Sequence, residues 1–133
     1  MPRRRRLRKI VAPPAFKGYQ PYGCRKNSGC IELLYEEYEA IKLADYDGMN
    51  HQEAADLMGV SRATFARIYE IARKKIAKAL VEVKEIKTVF GNALFDKDWY
   101  VCSDCDARFN IVDEAVKECA LCKSKNIELI VKK

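Results

Sequence analysis

The sequence predicts a mainly α fold, a helix-turn-helix bundle, followed by a small β unit organised by a metal. Three observations carry this reading. Apolar residues recur at three- and four-residue spacing between Leu34 and Leu80, the period of amphipathic helices. The turn Met58-Gly59-Val60-Ser61 interrupts that pattern. Two Cys-x-x-Cys pairs lie near the C-terminus, Cys102/Cys105 and Cys119/Cys122, with thirteen residues between them.

A chain of 133 residues holds one or two small domains. Three segments are expected: a basic extended N-terminal arm at 1–30, a helix-turn-helix domain at 31–88 and a cysteine-bearing unit at 89–133. No apolar run approaches the length of a membrane span, so no membrane partner is expected. The segment Pro2 to Lys9 lacks the apolar core of a secretory signal, which points to the cytoplasm. In that compartment six cysteines suit metal ligation or free thiols better than a disulfide framework.

The net charge of +6 is unevenly spread: +9 over 1–30, −7 over 31–60, +5 over 61–87 and −1 over 88–133. Basic blocks flanking an acidic one suit a polyanion partner, although a solvated basic surface would read the same way.

The arm contains Pro2, Pro13, Pro14, Pro21, Gly18, Gly23 and Gly29, which exclude a long helix and suggest order imposed by contact with something else. In 34–46, Leu34, Tyr38, Ile41 and Ala44 or Asp45 mark the inner face of a first helix. Glu36, Glu37 and Glu39 stand near its start, where the helix dipole favours anions. Asp47-Gly48 ends it. Asn50 with Glu53 forms a capping box for a second helix that stops at Gly59. Ser61 caps a third, from Arg62 to about Glu82, with the stripe Phe65, Ile68, Ala72, Ile76 and Leu80. Residues 83–96 read as a short strand or hairpin linking two domains.

Two helices that cross steeply need a small residue at their contact and a turn residue free to leave the helical region. Ala55 and Gly59 supply these, Val60 plugs the turn, and Ala54, Met58, Phe65 and Ile68 face inward. Ser61, Arg62, Ala63, Ala66, Arg67 and Glu70 are left at the outer side of the third helix. There Arg62 and Arg67 could bond guanine edges or phosphates of double-stranded DNA. Ser61 and Thr64 suit phosphate oxygens, and the methyls of Ala63 and Ala66 could touch thymine. The alternative is an ordinary helix pair. In the arm, Arg3, Arg4, Arg5 and Arg6 are candidates for the minor groove or phosphates, a solubilising tail being the other reading. His51 is expected to be exposed or phosphate-facing.

The segment from Leu34 to Leu80 resembles region four of bacterial sigma factors. It is more similar still to an uncharacterised family of small predicted DNA-binding proteins from bacteria and archaea. The matching residues are Pro2-Arg3, Arg6, the region of Phe16, Pro21 and Gly23, then EEYEAIKLADYDG from Glu36 and QEAADLMGVSRATFARIYEIARKKIAKAL from Gln52. The resemblance implies DNA binding without a defined target. Cys24 and Cys30 depart from the pattern, as does Val83, where relatives tend to carry Gly.

In the C-terminal unit each Cys-x-x-Cys forms a tight knuckle with two thiolates aimed at one centre. Two knuckles make a four-sulfur site suited to zinc. Flanked by three short strands (WYVC, ARFNIV, IELIV), this looks like a zinc ribbon. Iron is the alternative, as in rubredoxins, whose knuckles usually carry Pro and Gly that are absent here. A closed four-sulfur site has no open coordination position, and the chain has one His and no nucleophile–base pair or phosphate-binding Gly loop. A non-enzymatic function is therefore expected. The leading expectation is a sequence-specific DNA-binding transcriptional regulator, helped by a homodimer or by the Arg arm. The alternative is a protein-interaction or redox module in which the ribbon binds a protein partner.

Overall fold

A computed structural model describes residues 8–24, 29–91, 93–95, 97–111 and 115–131. Arg3 to Arg6 lie outside the described residues. The elements run β1 (Arg8–Lys9), β2 (Gly18–Tyr19), β3 (Cys30–Leu34), α1 (Tyr35–Ile41), a π-helical stretch (Lys42–Tyr46), α2 (His51–Met58), α3 (Arg62–Glu82), β4 (Glu85–Val89), β5 (Ala93–Leu94), β6 (Trp99–Cys102), β7 (Arg108–Phe109) and β8 (Ile127–Val131). The strands form three small sheets, ordered β1-β5, β2-β4-β3 and β7-β6-β8. The fold is therefore mixed α and β rather than mainly α.

The difference arises where the sequence signal was weakest. Residues 83–96, expected as a linking strand or hairpin, give β4 and β5, which do not pair with each other. β4 is central, parallel to β3 and antiparallel to β2, so both of its edges are taken. β5 pairs in parallel with β1 instead. Residues 8–24 are ordered by the chain itself. Pro13 and Pro14 are buried, the Phe16 ring meets Tyr19 and Tyr38 edge-on, and Thr88 donates from its amide to the Lys17 carbonyl.

The helices follow their local signals closely. The Glu53 amide donates to the Asn50 side chain at 2.8 Å and the Asn50 amide donates back to Glu53 at 3.3 Å, completing the capping box. Gly59 ends α2 in the left-handed region, φ 67°, where a Cβ is costly. The Thr64 amide donates to Ser61 Oγ at 3.1 Å, capping α3. Ala54, Ala55, Met58, Phe65 and Ile68 pack into one core with Ala40 and Leu43, and Val60 packs against it.

Three packing expectations change. On α3 the inward residue of the last turn is Ala79, and Leu80 is 73% exposed. A period of about 3.6 brings both positions near the inner face, and the smaller side chain is the one taken in. On α1 the buried positions are Tyr35, Glu36, Glu37, Glu39 and Ala40, followed by Leu43 in the π-helical stretch, rather than the set headed by Leu34 and Tyr38. Other elements cover this helix on several sides, and buried carboxylates persist where they are held. Glu37 Oε1 accepts from the Leu34 amide at 2.9 Å and from Lys75 Nζ at 2.7 Å, and Lys75 Nζ also donates to the Glu32 carbonyl at 2.9 Å. His51 is half-buried, its ring edge-on to Phe65 and Tyr69 at 5.2 and 5.4 Å.

Two predictions follow from this packing. Val83, just past α3, adopts φ 57° and ψ 59°, a left-handed conformation that penalises a β-branched residue. Val83→Gly should stabilise the fold by about 1 kcal/mol in denaturant unfolding, after allowing for the extra unfolded-state freedom of glycine. An unchanged or lower midpoint would contradict this. Burial pushes the Glu39 carboxyl up to about 7, with Lys42 opposing and Asp47 adding to the rise. A raised folded pKa means a contribution to stability that is complete below the unfolded value of 4.5 and lost as pH climbs through about 7. Glu39→Gln should therefore lose less stability than the native chain between about pH 5 and pH 8, by on the order of 2–3 kcal/mol. Equal losses would contradict the assignment.

Candidate metal centre and nucleic-acid interface

The C-terminal strands bring the four expected ligands together. Cys102 ends β6, which is flanked by antiparallel β7 and β8. The Sγ atoms of Cys102, Cys105, Cys119 and Cys122 all lie within 4.8 Å of one another. The Cys102–Cys122 and Cys105–Cys119 separations are 3.6 and 3.5 Å. Four sulfurs about 2.3 Å from a tetrahedral centre would stand about 3.8 Å apart, so the cluster fits a metal ion. In each pair the first cysteine is buried and the second exposed, giving the centre a protected side and a solvent side.

The two knuckles repeat one another at an offset of seventeen residues. The Asp104 amide donates to Cys102 Sγ at 3.4 Å and the Leu121 amide to Cys119 Sγ at 3.3 Å. The Asp106 amide closes onto the Cys102 carbonyl and the Lys123 amide onto the Cys119 carbonyl, both at 3.0 Å. Asp106 and Lys123 share positive φ, 60° and 64°. Amide bonds to sulfur favour the thiolate. The Cys122 amide, then that of Leu121, draws the Cys119 thiol down to about 6 against the effect of desolvation. At Cys105 the backbone bond with Ala107 also lowers the thiol. Desolvation and bonds to Cys119, Cys122 and Cys102 outweigh it and push the thiol up to about 12. The knuckle amides thus favour the thiolate form at Cys119, the form in which cysteine binds a metal.

The second candidate surface lies on the N-terminal half of α3. Arg62, Ala63, Ala66, Arg67 and Glu70 share one face by three- and four-residue spacing. Ser61, Arg62, Ala63 and Arg67 are exposed, whereas Thr64 and Ala66 are half-buried. The Ser61 hydroxyl accepts from the Thr64 amide and donates to Thr64 Oγ1 at 2.9 Å, so of the two only the Thr64 hydroxyl proton is uncommitted. Among the described residues Arg62 and Arg67 have no ion-pair partner, whereas Glu70 pairs with Lys74. Farther along, Arg73 lies over the Tyr69 ring and Tyr69 donates to Asp45 at 2.6 Å, tying α3 to the π-helical stretch. Lys9, the last cation of the basic segment, has its methylenes against Gly59 at the turn, and β1, which carries it, pairs with β5. Cys24 and Cys30 are exposed and belong to no cluster of potential ligands among the described residues. No described helix is long and apolar enough to cross a membrane.

Fold and site together define a small α/β protein with a C-terminal four-cysteine cluster able to hold a metal ion. The chain belongs to the family described as a protein of unknown function, DUF134, whose model matches residues 1–95. A UPF0251 protein of Caldicellulosiruptor saccharolyticus is 42% identical over 127 residues, covering 96% of this chain and 88% of its own length. One of Chloroherpeton thalassium is 40% identical, covering 96% and 86%, and one of Methanothermobacter thermautotrophicus is 37% identical, covering 98% and 68%. These matches extend across the cysteine unit, beyond the end of the family model. No solved structure matches the chain.

Because ligands must lose protons to bind, metal uptake should release protons and weaken toward acid pH. Replacing the buried Cys102 or Cys119 with Ser should abolish stoichiometric metal on the purified chain, read by elemental analysis. Full metal content in both variants would contradict the assignment.

Proposed function

We propose that the chain is a sequence-specific double-stranded DNA-binding protein, a transcriptional regulator, that lays the N-terminal half of α3 in the major groove. In this reading zinc holds the C-terminal unit together and no catalysis is assigned. The observation that carries it is the free face of α3. Arg62 and Arg67 project, without an ion-pair partner among the described residues, from a helix whose opposite face is locked by the fully buried Ala54, Ala55, Met58 and Phe65. An arginine that makes no internal ion pair is available for bidentate bonds to guanine or for a phosphate. The small Ala63 and Ala66 leave the face low enough to enter a groove.

Supporting features lie alongside. Ala55 and Gly59 provide the close contact and turn of a helix-turn-helix. β1 passes that turn, where the Lys9 side chain lies beside Gly59, and Arg3 to Arg6 add positive charge to the same stretch of sequence, which suits a phosphate backbone. One helix pair has limited contact area, and a second copy on a neighbouring half-site would enlarge it.

The alternative reading is a protein-interaction or redox module centred on the cysteine cluster. It is favoured by Leu121, 75% exposed in the second knuckle. Iron in place of zinc would suit its redox form.

Under the DNA-binding reading, Arg67→Ala should weaken binding to a selected duplex by about 1–3 kcal/mol in a fluorescence anisotropy titration, and should relax sequence preference. Binding of native and variant chains to every duplex with equal, weak affinity would favour the alternative.

A further inference from the structure

The two knuckles share their backbone bonding but differ at one side chain. The position held by Leu121 in the second knuckle is held by Asp104 in the first, seventeen residues earlier. Leu121 points to solvent. The Asp104 carboxylate instead crosses to the loop behind the second knuckle, where its Oδ2 accepts from the Ser124 hydroxyl and from Asn126 Nδ2, the latter at 3.2 Å. That loop is braced in turn. The Asn126 amide donates to Ser124 Oγ at 3.1 Å, the Ser124 carbonyl accepts from the Cys119 amide at 2.8 Å, and the Asn126 carbonyl accepts from the Ser103 amide at 2.8 Å.

We propose that Asp104 is a positioning residue for the metal centre, clamping the first knuckle to the second so that four sulfurs stand at ligating distance. Each knuckle shapes itself through its own backbone bonds, and those bonds say nothing about how far apart the knuckles sit. The Asp104–Ser124–Asn126 bracket and the Ser103–Asn126 backbone bond set that separation, together with the pairing of β6 and β8. An ionised carboxylate only accepts hydrogen bonds, which matches its two donors here. Polar groups that orient metal ligands from just outside the coordination sphere commonly hold 10–100-fold of a site's metal affinity. The inference rests on the reading of the four cysteines as a metal centre.

The test uses the full chain loaded with one Zn(II), and follows metal transfer to an excess of a chromophoric chelator. Asp104→Ala should lower zinc affinity roughly 10–100-fold. Asp104→Asn, which keeps an acceptor oxygen at the same reach, should recover most of it. Cobalt(II)-loaded native and Asp104→Ala chains should show the same tetrahedral thiolate absorption, because the ligands themselves are unchanged. Ser124→Ala, which removes one hydroxyl, should weaken zinc in the same direction and serves if Asp104→Ala fails to fold. Affinities within twofold of native for both Asp104→Ala and Ser124→Ala would overturn the clamp, as would an altered cobalt spectrum or an Asn variant as weak as the Ala variant. A native chain that takes up no zinc would overturn the metal reading itself, and the clamp with it.

Discussion

One buried ion pair organises the N-terminal two-thirds of the molecule. Glu37 and Lys75 meet at 2.7 Å, with side chains only 6% and 29% exposed. The carboxylate also takes the amide that opens α1, and the ammonium also takes a carbonyl of β3. The adjacent β3 and α1 and the sequence-distant α3 therefore converge on two side chains. A charge left unpaired at such a site typically costs about 3–5 kcal/mol, so the arrangement strongly disfavours alternatives in which α3 slides or rotates. Fixing α3 about its axis decides which of its residues face outward, and the pair thereby reaches the Arg62–Arg67 face two turns away.

At the other end, the cysteine-bearing strands and the helical unit share a core. Trp99 and Ile130 pack against Ile10, Tyr35, Ala93 and Phe95, and β1 pairs with β5 beside them. The strands that carry the cysteine cluster and the strand at the root of the basic arm are thus joined by apolar contacts. The β6–β8 sheet therefore also supports the N-terminal strand.

Much of this could be read from the residues because the signals are local. The caps at Asn50 and Ser61, the turn at Gly59 and the knuckle spacing each depend on a few neighbouring residues, and each is found as expected. What escaped depends on partners far along the chain. Lys75 reads as one more surface cation until Glu37 and Glu32 are brought beside it. Glu36, Glu37 and Glu39 read as anions favoured by the dipole at a helix start, and their burial depends on other elements closing over them. β4 reads as a linker because its partners lie some fifty and seventy residues earlier. Asp104 reads as an ordinary polar filler between two cysteines, and only the return of the chain at Ser124 gives it a role.

The central claim is that the exposed N-terminal half of α3 reads base sequence. Its most direct test is selection from a random duplex DNA pool with the full, metal-loaded chain, repeated with Arg62 and Arg67 both changed to Ala. The account expects the native chain to enrich a defined sequence with guanines at the contacted positions, and the double variant to enrich none while keeping salt-sensitive, non-specific affinity. Enrichment of the same sequence by both proteins, or of no sequence by the native chain, would contradict it.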